Sequence, residues 1–121
     1  MTDISQPGRS TLAIVLSLLF LGSVSVLLGC SKALSASEQR GRALYSFNCY
    51  ECHEENQLGL IKVPPKLHRL FSHQYLPDGT TQATDESVRN VIVYGKRTMP
   101  AFNGRLSNDQ VDDIIAYLHR K

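Results

Sequence analysis

Apolar residues recur at helical spacing in three stretches of this chain. The last stretch follows the spacing i, i+3, i+4, i+7, with Val111, Ile114, Ile115 and Leu118 on one face. Ser107 and Gln110 stand just before it in the pattern of a capping box, which predicts that a helix begins there. Carboxylates in its early turns and basic residues in its last turn also suit the dipole of a helix.

The middle stretch predicts a second helix over residues 84–94. Val88, Val91 and Ile92 share one face at helical spacing. Thr84 fits as the N-cap, because its hydroxyl can accept a hydrogen bond from the first turn, and Gly95 fits as a left-handed stop.

The first stretch places Gly41, Leu44 and Tyr45 on one face of a third helix, with Ser37 as the expected N-cap. A glycine inside a helix costs about 1 kcal/mol relative to alanine. A close crossing with another helix would explain why Gly41 is tolerated, and chance is the alternative. Together the three stretches predict an all-α fold.

Composition narrows the class of protein. The 121 residues suffice for one small domain, and 42% apolar with 20% charged residues is typical of a globular protein. Thirteen basic against eleven acidic side chains leave a net charge of only +2, which argues against an electrostatic nucleic-acid binder. The sequence has no Gly-rich phosphate loop, no tandem repeat and no HExxH helix, so most enzyme classes are excluded.

The amino-terminal part has a different pattern. Residues 11–28 are uncharged and mostly aliphatic, a length that is ambiguous between a secretory segment and a membrane span. The next residues complete LLGC at 27–30, which resembles the lipobox of bacterial lipoproteins, whose cysteine receives diacylglycerol. The resemblance implies a lipoprotein signal peptide over 1–29, a lipidated Cys30 and a flexible tether over 30–37. An uncleaved membrane anchor and simple secretion are the alternatives.

The other two cysteines stand in CYECH at 49–53, the CxxCH attachment signature of c-type haem. Two residues between the thiols let both sulfurs reach the two vinyl groups at one porphyrin edge, and the adjacent histidine can ligate the iron. A thioredoxin-like dithiol would need a βαβ context, and half of a zinc site would need two further ligands at suitable spacing. Neither is present, so the sequence predicts one covalent haem c held by Cys49, Cys52 and His53.

Around this motif, residues 38–121 resemble a class I c-type cytochrome. Gly41 to Tyr45 matches the family's first helix, where a glycine and an aromatic residue pack on the terminal helix. Residues 106–118 match the pattern of that terminal helix. The resemblance implies the small class I cytochrome c fold, in which three to four helices surround one haem, here preceded by an N-terminal signal helix.

The resemblance also implies where the second iron ligand lies. The family places its sixth ligand in a Met-Pro loop, and the match here is Met99-Pro100. Met99 is therefore the expected distal ligand on the face opposite His53, where a thioether raises the reduction potential relative to a second imidazole. The rival donors are His68, His73 and His119, and an open sixth site is the remaining alternative.

A family motif of proline and leucine two residues apart has its match in Pro65 and Leu67. The resemblance implies that the Pro65 carbonyl accepts a hydrogen bond from the His53 ring and that Leu67 packs on the haem. Prolines that only stiffen a loop are the alternative. The rest of the apolar pocket is expected from Leu60, Ile61, Tyr75, Leu76 and Phe102.

The implied function is single-electron transfer by a membrane-anchored monohaem cytochrome in a respiratory or periplasmic dehydrogenase chain, facing the periplasm or the cell exterior. His53 and Met99 would fill both axial positions of a low-spin iron, so no site remains for a small-molecule substrate and the protein is expected not to be an enzyme. A gas sensor with a labile Met99 is one alternative. A permanent dehydrogenase subunit or a donor to a terminal oxidase is another.

The expected partners are redox proteins and, through the lipid, the membrane. Five basic side chains flank the two loops expected to frame the haem edge: Lys62, Lys66, Arg69, Lys96 and Arg97. Such a group would steer docking onto an acidic redox partner, since opposite charges accelerate encounter. A solvated surface with no docking role is the alternative.

Overall fold

The computed structural model describes residues 32–121, and within that range the chain is helical, with no β-sheet and only isolated bridges. The α-helices in chain order are α1 Ala36–Asn48, α2 Tyr50–His53, α3 Asp85–Tyr94 and α4 Asn108–Arg120. A single 3₁₀ turn, Leu70–Ser72, lies between α2 and α3. The prediction of a small all-α fold with three to four helices is confirmed.

The predicted signal peptide over 1–29 and the lipidated Cys30 lie outside the described residues. Helix α1 begins at Ala36, so it takes in the last two residues of the stretch expected to be a tether over 30–37. Among the helices of the described part, none is both long enough and apolar enough to cross a bilayer.

The N-cap of α1 is Ser35, and the prediction of Ser37 is wrong. The Ser35 hydroxyl accepts a hydrogen bond from the backbone N–H of Glu38, and the Glu38 carboxylate accepts one from the backbone N–H of Ser35. This is a capping box, and it satisfies two donors that a helix start leaves unpaired. The S-x-x-E spacing begins at Ser35, which is the signal that decides between the two serines.

The N-caps predicted for the other two long helices are confirmed. Thr84 accepts a hydrogen bond from the backbone of Ser87, and Gly95 ends α3 with φ of 74°. Ser107 and Gln110 form the capping box at the start of α4. Both helix starts therefore follow from polar groups within three residues of the cap.

Helices α1 and α4 cross at Gly41, which is buried. A Cβ atom on Gly41 would lie 1.8 Å from the carbonyl oxygen of Asp113. One turn further on, the rings of Tyr45 and Tyr117 meet with centroids 5.4 Å apart. The Arg40 guanidinium donates two hydrogen bonds, of 2.7 and 2.8 Å, to the Asp113 carboxylate. The close helix crossing expected from Gly41 is confirmed.

The core lies between α1, α3 and α4. Its buried apolar side chains are Tyr45, Leu70, Leu76, Val88, Ile92, Phe102, Val111, Ile114, Ile115 and Leu118. All four residues of the apolar stripe predicted on α4 belong to it. Backbone hydrogen bonds from Phe102 to Ile92 and from Asn103 to Val93 tie the segment after α3 to the end of that helix.

Candidate functional site

A cavity of about 370 Å³ opens between α2, the loop that follows it, α3 and the segment before α4. Its walls are mostly apolar, and its size falls in the usual range of ligand pockets, roughly 300 to 1,000 Å³. It is lined by all the residues predicted to hold the cofactor: Cys49, Cys52, His53, Pro65, Leu67 and Met99. The fold thus brings together three parts of the chain that are far apart in sequence.

The expected apolar walls are only partly correct. Leu60, Leu76 and Phe102 line the cavity, whereas Ile61 and Tyr75 do not. Ile61 is fully exposed and Tyr75 is 42% exposed. The reason is local for Ile61: the Asn56 amide hydrogen bonds to both backbone groups of Leu60, which holds Leu60 inward and leaves its neighbour facing solvent.

Several wall residues were not anticipated from the sequence. Those on the helices are Tyr45, Asn48, Val88, Val91, Ile92, Ile114 and Leu118. The helix periodicity identified most of them as core positions, because one apolar face serves both the core and the cavity. At the rim, Lys96 lines the cavity as expected, but no sequence motif pointed to Asp78, which lines it beside Lys96.

Cys49 is the N-cap of α2 and Cys52 lies within that helix, three residues later, and neither forms a disulfide. Burial away from water and the neighbouring Cys52 raise the pKa of the Cys49 thiol to about 12. A raised pKa is the expected effect of burying a thiol in an apolar wall. Both sulfurs belong to the wall that also carries His53.

His53 is buried, and its Nδ1 lies 2.7 Å from the carbonyl oxygen of Pro65. A carbonyl only accepts hydrogen bonds, so Nδ1 must donate, which leaves the lone pair on Nε2 for a metal. Next to it, burial opposes ionisation of Glu54, but hydrogen bonds from Tyr45 and Lys121 outweigh it and lower the pKa of the carboxyl. Burial, and then the hydrogen bond that its hydroxyl donates to Glu54, raise the pKa of Tyr45.

Met99 lies in a short loop closed on itself. The backbone N–H of Lys96 donates to the Met99 carbonyl at 3.2 Å, and that of Met99 donates to the Lys96 carbonyl at 3.0 Å. Gly95 begins this loop, and a Cβ there would lie 2.6 Å from the Met99 carbonyl oxygen. The thioether is partly buried against the core.

The rival histidines do not line the cavity. His68 and His73 are exposed. His119 stacks on Phe71, with ring centroids 3.8 Å apart, and its Nε2 lies 2.7 Å from an Asp85 carboxylate oxygen. Within the described residues, the cavity therefore offers His53 and Met99 as the neutral nitrogen and sulfur donors that iron accepts.

Comparison with known proteins identifies the family of this chain. A family model described as cytochrome c oxidase, cbb3-type, subunit III matches residues 36–118, which is more than two thirds of the chain. The chain belongs to the cytochrome c family. This cytochrome is 33% identical over 88 residues to cytochrome c6 of a Nostoc species, covering 73% of this chain and 74% of the relative.

Further relatives extend the likeness. Cytochrome c6 of Limnospira maxima is 33% identical over 78 residues, covering 64% of this chain and 85% of the relative. The solved structure of cytochrome c6 from the diatom Phaeodactylum tricornutum is 27% identical, with a TM-score of 0.51, and the match covers 69% of this chain and 91% of that one. The small cytochrome c fold inferred from the motifs is confirmed.

The residues in the cavity fit the cofactor of this family. Two free thiols at CxxCH spacing, a buried imidazole with its Nε2 lone pair available and mostly apolar walls suit one covalently attached haem c. The protein is accordingly a c-type cytochrome, an electron carrier rather than an enzyme.

Proposed function

We propose that this cytochrome shuttles single electrons between redox proteins outside the cytoplasm, with His53 and Met99 as the two axial ligands of a low-spin iron. The observation that carries the proposal is the shared cavity, which both side chains line together with both thiols. A cytochrome with two protein ligands leaves no iron position for a substrate, which favours electron transfer over catalysis or gas sensing.

Different residues of the chain orient the axial histidine, exclude water and hold the methionine. The Pro65 carbonyl fixes the orientation of the His53 ring through Nδ1. Leu67 and the core side chains around it exclude water from the cavity, and the loop at 96–99 holds the thioether in the wall. Haem c, when bound, supplies an iron centre that takes up and releases one electron.

The first test is an absorption spectrum of the ferric protein made with the haem c maturation machinery. We expect the weak far-red band of methionine-to-iron charge transfer, and we expect Met99→Ala to lose it. The variants His68→Ala and His119→Ala are controls, because each removes a rival donor and should leave the band in place. Covalent haem without the band in the unaltered protein would contradict Met99 as the ligand, and rapid complete binding of carbon monoxide to the ferrous protein would favour gas sensing.

The proposal includes a lipid anchor at Cys30, with a signal peptide over 1–29 that is removed and a tether over 30–37 before the domain at 38–121. It is supported by the LLGC pattern directly after an uncharged aliphatic stretch. Diacylglycerol and a second acyl chain together give stable membrane binding. We expect the protein to fractionate with membranes and to incorporate labelled fatty acid, and Cys30→Ala to abolish the labelling. Labelling that survives this substitution would contradict the lipid site.

The proposed electron acceptor is a membrane-bound terminal oxidase with an acidic docking surface. The family model that this chain matches describes a subunit of a cytochrome c oxidase, and a chain similar to such a subunit fits electron delivery to an enzyme of that class. Beside the cavity, the loop after α2 exposes three apolar side chains: Leu58, Ile61 and Val63. Two cations of the cavity rim, Lys62 and Arg97, would supply the charge complementary to an acidic partner.

Charge reversal tests this docking face. Lys96 was expected to contribute, but its ammonium is bound to Asp78, so Lys62→Glu and Arg97→Glu are the informative variants. We expect both to slow reduction or oxidation by the partner at low salt and to lose the effect at high salt. Arg42→Glu is the control, because Arg42 is exposed on α1 and does not line the cavity. Equal rates for all three variants would contradict the docking face.

A further inference from the structure

The turn at 77–81 lies beside the loop that carries Met99, and an ion pair joins the two. The Asp78 carboxylate accepts a hydrogen bond from the Lys96 ammonium. It also accepts bonds from the backbone N–H of Thr80 at 3.0 Å, the backbone N–H of Thr81 at 2.9 Å and the Thr81 hydroxyl at 2.6 Å. The Asp78 side chain is only 11% exposed. The carboxylate is thus fixed by its own turn before it meets the lysine.

Lys96 connects the Asp78 carboxylate to Met99. Lys96 and Met99 exchange both backbone hydrogen bonds, so fixing one residue fixes the other. The ammonium of Lys96 also reaches the Thr81 hydroxyl at 3.3 Å. A continuous series of bonds therefore runs from the turn, through Asp78 and Lys96, to the residue with the thioether.

Little else on the loop's outer side is packed. Arg97, Thr98 and Pro100 are exposed, whereas Met99 is partly buried. Local opening is easiest where a segment has few buried contacts, and an added ligand can then replace a weak thioether donor. The ion pair at the cavity rim joins this loop to another part of the cavity wall.

We propose that Asp78, acting through Lys96, is a positioning residue that holds the Met99 thioether at the iron against displacement by an added ligand. This inference rests on the proposed function, because it takes Met99 as the sixth ligand. Asp78 touches neither the thioether nor any reacting atom. It acts on the equilibrium between the closed and the opened state of the loop that carries Met99.

The test is imidazole binding to the ferric holoprotein, followed by loss of the far-red methionine band. We expect Asp78→Asn to bind imidazole about tenfold more tightly, because the opened loop is the binding-competent state and its population rises. Asp112→Asn is the matched control: it breaks the Arg89–Asp112 ion pair between α4 and α3, which does not line the cavity. It should bind imidazole as the unaltered protein does.

Variants at Lys96 keep the inference testable if Asp78→Asn fails to fold. Lys96→Gln should reproduce the tighter imidazole binding. Lys96→Arg, which keeps the charge, should bind imidazole as the unaltered protein does. The double variant with Asp78→Asn and Lys96→Gln should bind imidazole no more tightly than either single variant, because both substitutions remove the same ion pair.

Two results overturn the inference. One is an unchanged imidazole affinity in Asp78→Asn while the unaltered protein shows the band and Met99→Ala lacks it; the proposed function then stands without a role for Asp78. The other is an equal shift in Asp78→Asn and Asp112→Asn, which would indicate a general loss of stability. A missing band in the unaltered protein would instead overturn the proposed function and the inference together.

Discussion

The crossing of α1 with α4 and the loop that carries Met99 both bring backbone against a glycine, but their surroundings differ. The two helices that cross at Gly41 carry the fully buried side chains of Tyr45, Val111 and Ile114, and the Arg40–Asp113 ion pair joins them. At Gly95 the loop that follows is mostly exposed. The first region is held by many contacts, and the second by a few hydrogen bonds.

The difference separates the stability of the fold from the retention of the ligand. Segments with few buried contacts open at a lower free energy than the core, so they can move while the domain stays folded. Variants at the crossing should therefore change the free energy of unfolding, and variants in the loop should change the iron's ligand first. Both the free energy of unfolding and the ligand of the iron can be measured in the holoprotein.

Gly41→Ala should have the largest effect on stability. Its Cβ would lie 1.8 Å from the Asp113 carbonyl oxygen, a backbone atom that moves only if the whole helix moves. We expect the free energy of unfolding to fall by about 3 kcal/mol or more, at the upper end of overpacking costs. Urea unfolding of the holoprotein measures it.

The control at the crossing is Ser46→Ala, an exposed position on the same helix. Surface substitutions of this kind usually change stability by less than about 0.5 kcal/mol. A loss in Gly41→Ala no larger than in Ser46→Ala would mean that α1 and α4 are further apart than the structure has them.

Gly95→Ala should have a smaller effect on unfolding, about 1 to 3 kcal/mol, and a larger one on ligation. The residue has φ of 74°, and a Cβ would lie 2.6 Å from the Met99 carbonyl and 2.9 Å from the Ala101 nitrogen. We expect the far-red methionine band to weaken under conditions where the protein is still fully folded.

Gly104→Ala is the matched control for Gly95, because it has φ of 75° with no atom near the added Cβ. It carries the left-handed strain alone, about 1 to 2 kcal/mol, and should keep the band. If both variants keep the band, the contact between Gly95 and the Met99 loop has no influence on ligation.

Asp113→Asn should give the smallest change, and one that depends on pH. The hydrogen bonds from the Arg40 guanidinium hold the pKa of the Asp113 carboxyl below its usual range. A lowered pKa in the folded state stabilises the protein above the unfolded pKa, about 3.9, and this contribution is lost as the pH falls further. The variant should be less stable than the unaltered protein at pH 7. The difference in the free energy of unfolding should shrink as the pH falls below about 4.

Urea midpoints between pH 7 and pH 3 measure this difference. Asp112→Asn on the same helix is the comparison, because its carboxylate is more exposed and its pair with Arg89 contributes less. A gap for Asp113→Asn that stays constant across this range would rule out the ionised pair as its source.

Much of the site could be predicted because its signals are local. CxxCH spans five residues, and its spacing alone specifies the attachment chemistry. The stripe on α4 and the caps at Thr84 and Ser107 also depend on groups within about two turns of one helix. The error at Ser37 was of the same local kind, and the S-x-x-E spacing at Ser35 would have corrected it.

What the sequence determined by itself was the helical class, the haem-binding motif and the small residue at the helix crossing, because periodicity, capping and covalent spacing act over a few neighbouring residues. Only the tertiary structure decided that Ile61 faces solvent, that the three rival histidines stand away from the cavity, and that Asp78 binds Lys96. These facts depend on how distant segments pass one another, and no local spacing encodes that path.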